Sequence, residues 1–141
     1  LLEEYGAAVN KSTDDGAFPL YVACQRGHVD VARLLLQAGA DLNQTSDTGW
    51  GPLFVACAVG HLDVARLLLE EYGAAVNKST DDGAFPLYVA CQRGHVDVAR
   101  LLLQAGADLN QTSDTGWGPL FVACAVGHLD VARLLLEEYG A

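Results

Sequence analysis

The chain contains no methionine, two tryptophans and four prolines, and its 18 acidic residues outnumber its eight lysines and arginines. The shortage of basic residues excludes a strongly positive surface. We therefore expect no nucleic acid and no anionic membrane as a partner, because clustered lysine and arginine side chains bind phosphate groups. We attribute the formal net charge of −10 to solubility. Because position 1 is leucine, we expect a fragment, a processed product or the ordered part of a longer chain.

Long apolar runs are also missing. In the first leucine-rich stretch the longest run is Leu34-Leu35-Leu36, which Arg33 precedes, whereas a membrane span needs about 20 apolar residues. No signal peptide is visible at the start of the sequence. Together with the cysteines considered below, this predicts an intracellular, cytoplasmic protein.

What the sequence does contain is an internal repeat. Its prolines fall at Pro19, Pro52, Pro86 and Pro119, with spacings of 33, 34 and 33 residues. At an offset of 67 residues the match is complete: residues 1–67 are identical to 68–134, and 135–141 repeat 1–7. The spacing of 33 or 34 residues between prolines indicates a solenoid or another array of repeats. The lack of drift between the copies favours an engineered protein, with a very recent natural duplication as the alternative.

Each repeat is predicted to hold two short helices. The first begins at Pro19, since the fixed φ and missing N–H of proline suit a first helical turn, and it ends at about residue 26. The second covers about 29–38, and we expect Asp30 and Arg33 to pair on its outer face. Every second repeat carries one additional residue before its closing glycine, which we expect to lengthen the last turn or to bulge it.

The pattern resembles the ankyrin repeat, with a G-x-x-P-L-x-x-A segment, a G-H pair, a leucine-rich second helix and a closing G-A-D-x-N. The matching residues in the first repeat are Gly16, Pro19, Leu20, Ala23, Gly27, His28, Leu34, Leu35, Gly39, Ala40, Asp41 and Asn43. Those in the second are Gly49, Pro52, Leu53, Ala56, Gly60, His61, Leu67, Leu68, Gly73, Ala74 and Asn77.

The resemblance implies an all-α ankyrin-repeat α-solenoid, in which helix-turn-helix pairs are joined by β-hairpin-like loops. We expect one domain, residues 1–141. Its predicted parts are a partial repeat end (1–12), two A repeats (13–45 and 80–112) and two B repeats (46–79 and 113–141, the latter truncated).

The sequence departs from the family pattern at the start of each first helix. The family's threonine before proline is replaced by Phe18, Gly51, Phe85 and Gly118, and its histidine after leucine by Tyr21, Phe54, Tyr88 and Phe121. Loss of a hydroxyl N-cap usually costs about 1 kcal/mol. In the family this histidine ties neighbouring loops together. As compensation we expect Phe18 to fill the space beside Gly51 of the next repeat, with Trp50 closing over it.

Cysteine and histidine recur four residues apart, which raises the question of zinc. The pairs are Cys24 and His28, Cys57 and His61, Cys91 and His95, and Cys124 and His128. Each pair supplies only two ligands, and stacked repeats lie roughly 10 Å apart, so we expect no metal. The same distance exceeds the roughly 7 Å limit for a disulfide. We therefore predict four buried free thiols, as in a reducing compartment.

Other motifs have structural explanations. Four Asn-x-Ser/Thr sequons begin at Asn10, Asn43, Asn77 and Asn110, and we interpret them as polar repeat ends rather than glycosylation sites. No base, nucleophile and orienting group are assembled by any recognisable motif. We expect no catalytic residue, no cofactor and no enzymatic activity.

We interpret the chain as a non-enzymatic repeat scaffold that forms a superhelical array, in a family that mediates protein–protein interaction. The alternative is a specific protein- or peptide-binding module that uses the concave face. The resemblance places recognition on the hairpin tips and the exposed face of each first helix. The predicted binding residues are Asp14, Asp15, Ala17, Gln25, Arg26, Asp47, Thr48, Trp50, Ala58, Val59, Asp81, Asp82, Ala84, Gln92, Arg93, Asp114, Thr115, Trp117, Ala125 and Val126.

Two questions stay open at this stage. Trp50 and Trp117 fit a binding hot spot and internal packing equally well. The chain ends also have the apolar character of internal repeats, whereas solenoids normally carry polar caps. We therefore expect end-to-end self-association into a quasi-continuous superhelix.

Overall fold

A computed structural model describes residues 8–141, and their helices fall in pairs along the chain. The α-helices are α1 (Pro19–Gln25), α2 (Val29–Gln37), α3 (Pro52–Val59), α4 (Leu62–Arg66), α5 (Pro86–Arg93), α6 (Val96–Gln104), α7 (Pro119–Val126) and α8 (Leu129–Arg133). No strand occurs within residues 8–141, and the predicted all-α class is confirmed. Residues 1–7 of the predicted partial repeat end lie outside the described residues.

The helices form two layers. One layer contains α1, α3, α5 and α7 side by side, the other contains α2, α4, α6 and α8, and each odd-numbered helix packs on the next even-numbered one. Helices of five to nine residues are too short to be stable alone. Their stability therefore depends on apolar side chains enclosed between repeats, such as Leu20, Val55 and Leu87.

Each helix of the first layer starts at its proline without a side-chain cap. Phe18 and Phe85, which stand at the cap position of α1 and α5, are almost completely buried instead. Burying a phenylalanine contributes about 1.5–3 kcal/mol, which offsets the roughly 1 kcal/mol of a missing cap.

The predicted fit of Phe18 against Gly51 is wrong. A Cβ at Gly51 would lie 3.6 Å from the carbonyl oxygen of Gln44 and 3.8 Å from Cγ2 of Thr45, with no atom of Phe18 within 4 Å. The Phe18 ring contacts Tyr21 in its own repeat, at 5.6 Å between centroids. The glycine therefore accommodates its own hairpin rather than a neighbour's ring.

Tight hairpins connect successive repeats and touch one another at their tips. In the first, the Thr13 N–H donates to the carbonyl of Ala17 at 2.7 Å, and Gly16 adopts a φ of +86°. A Cβ at Gly16 would lie 2.6 Å from a carboxylate oxygen of Asp47. The tips therefore form a continuous edge along the stack, made of residues 13–17, 46–50, 80–84 and 113–117.

The additional residue of the B repeats lies in a π-helical turn, and of the two predicted outcomes, a longer or a bulged last turn, the structure shows the bulge. The turns Leu67–Glu71 and Leu134–Glu138 continue α4 and α8. The first of them brings Glu71 within 2.5 Å of Arg33 in the preceding A repeat, and this hydrogen bond raises the pKa of the guanidinium. The expected pair between Asp30 and Arg33 is therefore wrong: Arg33 bridges repeats instead.

Candidate protein-binding surface

The predicted binding residues lie along the hairpin tips and the neighbouring first-layer helices. Ala17, Trp50 and Ala84 are half-buried, Ala58 is buried, and the other 16 are exposed. Tips and helices belong to consecutive repeats that pack directly on one another, so the exposed positions follow one another along a single stack. A chain that binds there would contact several repeats at once.

Ala58 is a correction to the predicted surface. It is 1% exposed because α5 of the next repeat packs over it, whereas its copy Ala125, in the last repeat, is exposed. Its carbonyl oxygen is 3.1 Å from Nε2 of His95 and 3.4 Å from a guanidinium nitrogen of Arg93. Ala58 therefore belongs to the contact between repeats.

The tips present ionised carboxylates. The hydroxyl of Thr13 donates to Asp15 and lowers the pKa of that carboxyl, and Thr80 acts in the same way on Asp82. Burial, together with the negative charge of Asp15, raises the pKa of Tyr21. Because the acids stay charged and the phenol stays neutral, this surface is negative at neutral pH.

A groove of about 260 Å³ lies between the first two tips and α1. Its walls are Asp15, Ala17, Tyr21, Gln25, Ser46, Asp47 and Thr48. It therefore offers two carboxylates beside an aromatic ring, a combination that accepts a cationic side chain.

The two tryptophans make packing contacts within their own repeats. Trp50 meets Phe54 edge to face at 4.7 Å, and Trp117 meets Phe121 at 4.5 Å. Only Trp50 has a following repeat in the described chain, and the guanidinium of Arg93 from that repeat lies 6.0 Å from its ring centroid. The indole of Trp117 is exposed.

The histidines of three G-H pairs, His61, His95 and His128, tie their repeats to the one before. Nε2 of His61 lies 3.0 Å from the carbonyl oxygen of Gln25, and His128 makes the equivalent contact with Gln92 at 3.0 Å. Since a carbonyl only accepts, Nε2 must carry the proton. The sequence analysis assigned such ties to a different histidine of the family, the one at the position of Tyr21. The Gly-His pair that recurs in every repeat was the signal that could have identified the histidines that form them.

The prediction of four buried thiols is wrong at one position. Cys24, Cys57 and Cys91 are buried, but Cys124 is exposed, since no described repeat covers α7 on its outer side. Burial raises the pKa of Cys24 and Cys91 to about 12, so these thiols stay protonated and unreactive. Within residues 8–141, no three His, Cys, Asp or Glu side chains are close enough to hold a metal ion.

The end of the stack formed by α7 and α8 exposes residues whose copies are buried in the middle. Phe121 is 54% exposed, whereas Phe54, the same residue 67 positions earlier, is 5% exposed. Leu129 and Ala125 are exposed as well. We call this surface the C-end face and define it by Leu120, Phe121, Ala125 and Leu129.

The opposite end, formed by α1 and α2, shows the same contrast. Val31 and Leu34 are 49% and 60% exposed, whereas their copies Val98 and Leu101 are 1% and 4% exposed. An open groove of about 460 Å³ lies here, with Phe18, Val22, His28, Val31 and Leu35 among its walls. We call this surface the N-end face and define it by Val22, His28, Val31, Leu34 and Leu35.

Two layers of short helices, a continuous edge of hairpin tips and histidine ties between neighbours define an α-solenoid repeat protein. The family model of ankyrin repeats (3 copies) matches residues 1–80 and again 72–141. The chain belongs to the ankyrin-repeat family, whose members are generally non-enzymatic scaffolds for protein–protein interaction. No curated protein matches the sequence. Among the described residues, no helix combines the length and apolarity needed to cross a membrane.

Proposed function

We propose that this protein is a non-enzymatic scaffold whose copies stack end to end into a superhelical array. The observation that carries the proposal is the contrast between identical residues. Phe121 and Leu34 are more than half exposed at the ends, whereas Phe54 and Leu101 are almost completely buried in the middle. The contact between the two middle repeats is therefore a template for a contact between copies that would bury both ends.

The two end faces are complementary rather than alike. In the middle of the stack, α3 and α4 of one repeat pack on α5 and α6 of the next. The C-end face corresponds to the first member of that contact and the N-end face to the second. A contact between unlike faces does not close on itself and continues from copy to copy. Such a contact therefore produces a linear array rather than a dimer.

The energetics of stacking differ between and within chains. Apolar surface contributes about 25 cal/mol per Å² when it is buried, but association costs roughly 4–15 kcal/mol of translational and rotational freedom. Inside the chain the covalent connection removes that cost. We therefore expect stacking between copies to be weaker than stacking within the chain and to depend on concentration.

Ala125→Arg should abolish stacking without weakening the single chain. Ala125 is exposed, so the new side chain reaches solvent in the monomer, but its copy Ala58 is enclosed by the next repeat. Light scattering over a dilution series should give a mass that rises with concentration for the parent and stays monomeric for Ala125→Arg. Gln104→Arg, which adds the same charge at an exposed position on α6, should behave like the parent. A parent that remains monomeric at every concentration would refute the proposal.

A protein- or peptide-binding module on the concave face is the second candidate, and the acidic tips favour it. Asp15 and Asp47 flank the groove that contains Tyr21, and Asp82 and Asp114 occupy the equivalent positions 67 residues later. This charge fits a partner rich in lysine or arginine. Because the repeats are identical, such a partner would meet the same chemistry twice.

The second candidate predicts that removal of two tip carboxylates weakens binding of a basic peptide. The double variant Asp47→Asn with Asp114→Asn should bind a decalysine peptide several-fold more weakly than the parent in calorimetry at low salt. The double variant Glu70→Gln with Glu137→Gln removes the same charge from exposed positions in the second layer and serves as the control. Equal losses in both variants would indicate diffuse attraction by the whole acidic chain and would exclude a site at the tips.

A further inference from the structure

We infer that the junction between two stacked copies has the register of the contact between the first B repeat and the second A repeat. This inference rests on the proposed stacking and specifies its geometry. It assigns a definite partner to each group on the two end faces. His28 of one copy would bind the carbonyl of Ala125 in the other, and Arg26 would lie over Trp117.

The internal contact supplies the template for these pairs. There, Nε2 of His95 is 3.1 Å from the carbonyl oxygen of Ala58, and the guanidinium of Arg93 donates to the same oxygen at 3.4 Å. The Arg93 guanidinium also lies 6.0 Å from the centroid of the Trp50 ring. At the tips, the Asp81 N–H donates to the carbonyl of Thr48 at 3.3 Å.

Both halves of this set of contacts are present at the chain ends. His28, Arg26 and Asp14 are the copies of the three donors and belong to the first A repeat, which carries the N-end face. Ala125, Thr115 and Trp117 are the copies of the acceptors and belong to the last B repeat, which carries the C-end face. Docking in this register would therefore give each of these donors the acceptor that its copy has in the internal contact.

Small residues at the C-end face restrict the register. A Cβ at Gly60 would lie 2.7 Å from Nδ1 and 2.8 Å from Cε1 of His95, whereas a Cβ at Gly127 would meet nothing within 4 Å. The histidine ring thus needs a glycine beneath it. Gly127 lies two residues after Ala125, as Gly60 lies two residues after Ala58. Gly127 therefore leaves open, beside the C-end face, the space that the imidazole of His28 would occupy.

Pairing of like faces is unfavourable. Two N-end faces would bring the two Arg26 guanidinium groups together, and neither face would offer the carbonyl acceptor that His95 has in the internal contact. Two C-end faces would bring carbonyl groups together without donors, and an unpaired buried polar group costs about 1–3 kcal/mol. Only the contact of unlike faces matches donors with acceptors.

The sequence also continues across the inferred junction. Residues 135–141 repeat residues 1–7, so the last residue of one copy corresponds to the one before Ala8 in the next. In the inferred register, residues 135–141 of one copy are therefore followed, in the order of the repeat, by Ala8 of the next copy.

Two blocked chains test the polarity. Val31→Arg obstructs the N-end face only, since Val31 is exposed while its copy Val98 is enclosed, and Ala125→Arg obstructs the C-end face only. Each chain alone should be monomeric in light scattering, and an equimolar mixture should form a one-to-one heterodimer that grows no further. If the mixture stays monomeric, the stacking proposal and the register both fail. If either blocked chain forms a dimer alone, like faces pair and the register is wrong.

A glycine variant tests the register itself within that heterodimer. Gly127→Ala in the Val31→Arg chain should weaken the heterodimer at least about tenfold, because its Cβ would meet the His28 ring of the other chain. His28→Ala in the Ala125→Arg chain should relieve this clash and leave a loss of roughly two- to tenfold from the missing hydrogen bond.

Gly140→Ala is the matched control for Gly127→Ala. Gly140 also has a positive φ, and both Gly140 and its internal copy Gly73 have nothing within 4 Å of a Cβ. Its substitution should therefore leave the heterodimer unchanged. A heterodimer that tolerates Gly127→Ala as well as Gly140→Ala would overturn the register while leaving end-to-end stacking intact.

Discussion

Phe54→Ala should lower the free energy of unfolding by about 3–4 kcal/mol, whereas Phe121→Ala should cost only about 1 kcal/mol. The two residues have the same local sequence and the same edge-to-face contact with a tryptophan. They differ in their neighbours, because α3 is covered by α5 and α7 has no following repeat in the described chain. The difference between the two losses therefore measures the contact between repeats.

Urea unfolding of the two variants, followed by circular dichroism, would provide this comparison. The protein concentration should be low enough that the parent is monomeric, since stacking would also cover Phe121. At concentrations where copies stack, the cost of Phe121→Ala should rise towards that of Phe54→Ala. Equal losses at low concentration would contradict the burial contrast on which the proposed function depends.

The fold could be predicted because its determinants are local and repeated. Pro19 starts a helix, Gly27 ends it, and the residue added before Gly73 produces the π-helical turn at Leu67–Glu71. Helix bounds follow from these residues to within one position. The same pattern occurs twice without change, so a single correct assignment extends along the chain.

The pairing between repeats could not be predicted from local spacing. Asp30 is three residues from Arg33, yet Arg33 pairs with Glu71, which is 38 residues away. Which carboxylate an exposed arginine reaches depends on how far one repeat is rotated against the next. That rotation depends on the packing of both layers and has no signature within a window of a few residues.

Identical sequence also conceals differences in environment. Ala58 and Ala125 have the same neighbours along the chain, but one is enclosed and the other is exposed. The same holds for Cys57 and Cys124. In a solenoid, burial is determined by the adjacent repeat rather than by the residue's own repeat. Predictions that treated all copies alike therefore failed in the last repeat.

Gly60→Ala should destabilise the monomer by about 3–4 kcal/mol, and Gly127→Ala by only about 1–2 kcal/mol. Both glycines end a first-layer helix in the left-handed region, with φ of +91° and +87°, so alanine pays a similar backbone strain at either position. Only at Gly60 would the new Cβ lie 2.7 Å from the ring of His95. That ring must then move and lose its hydrogen bond to Ala58, which adds the remaining cost.

Thermal unfolding of dilute protein would separate the two effects. Since 1 kcal/mol corresponds to roughly 2–4 °C in a chain of this size, the melting temperature should fall several degrees further for Gly60→Ala than for Gly127→Ala. In Gly60→Ala combined with His95→Ala, the loss should be smaller than the sum of the two single losses, because the alanine no longer meets a ring. Strictly additive losses would show that Gly60 is needed only for its left-handed backbone conformation. The contact between Gly60 and the His95 ring would then not determine the register of the repeats.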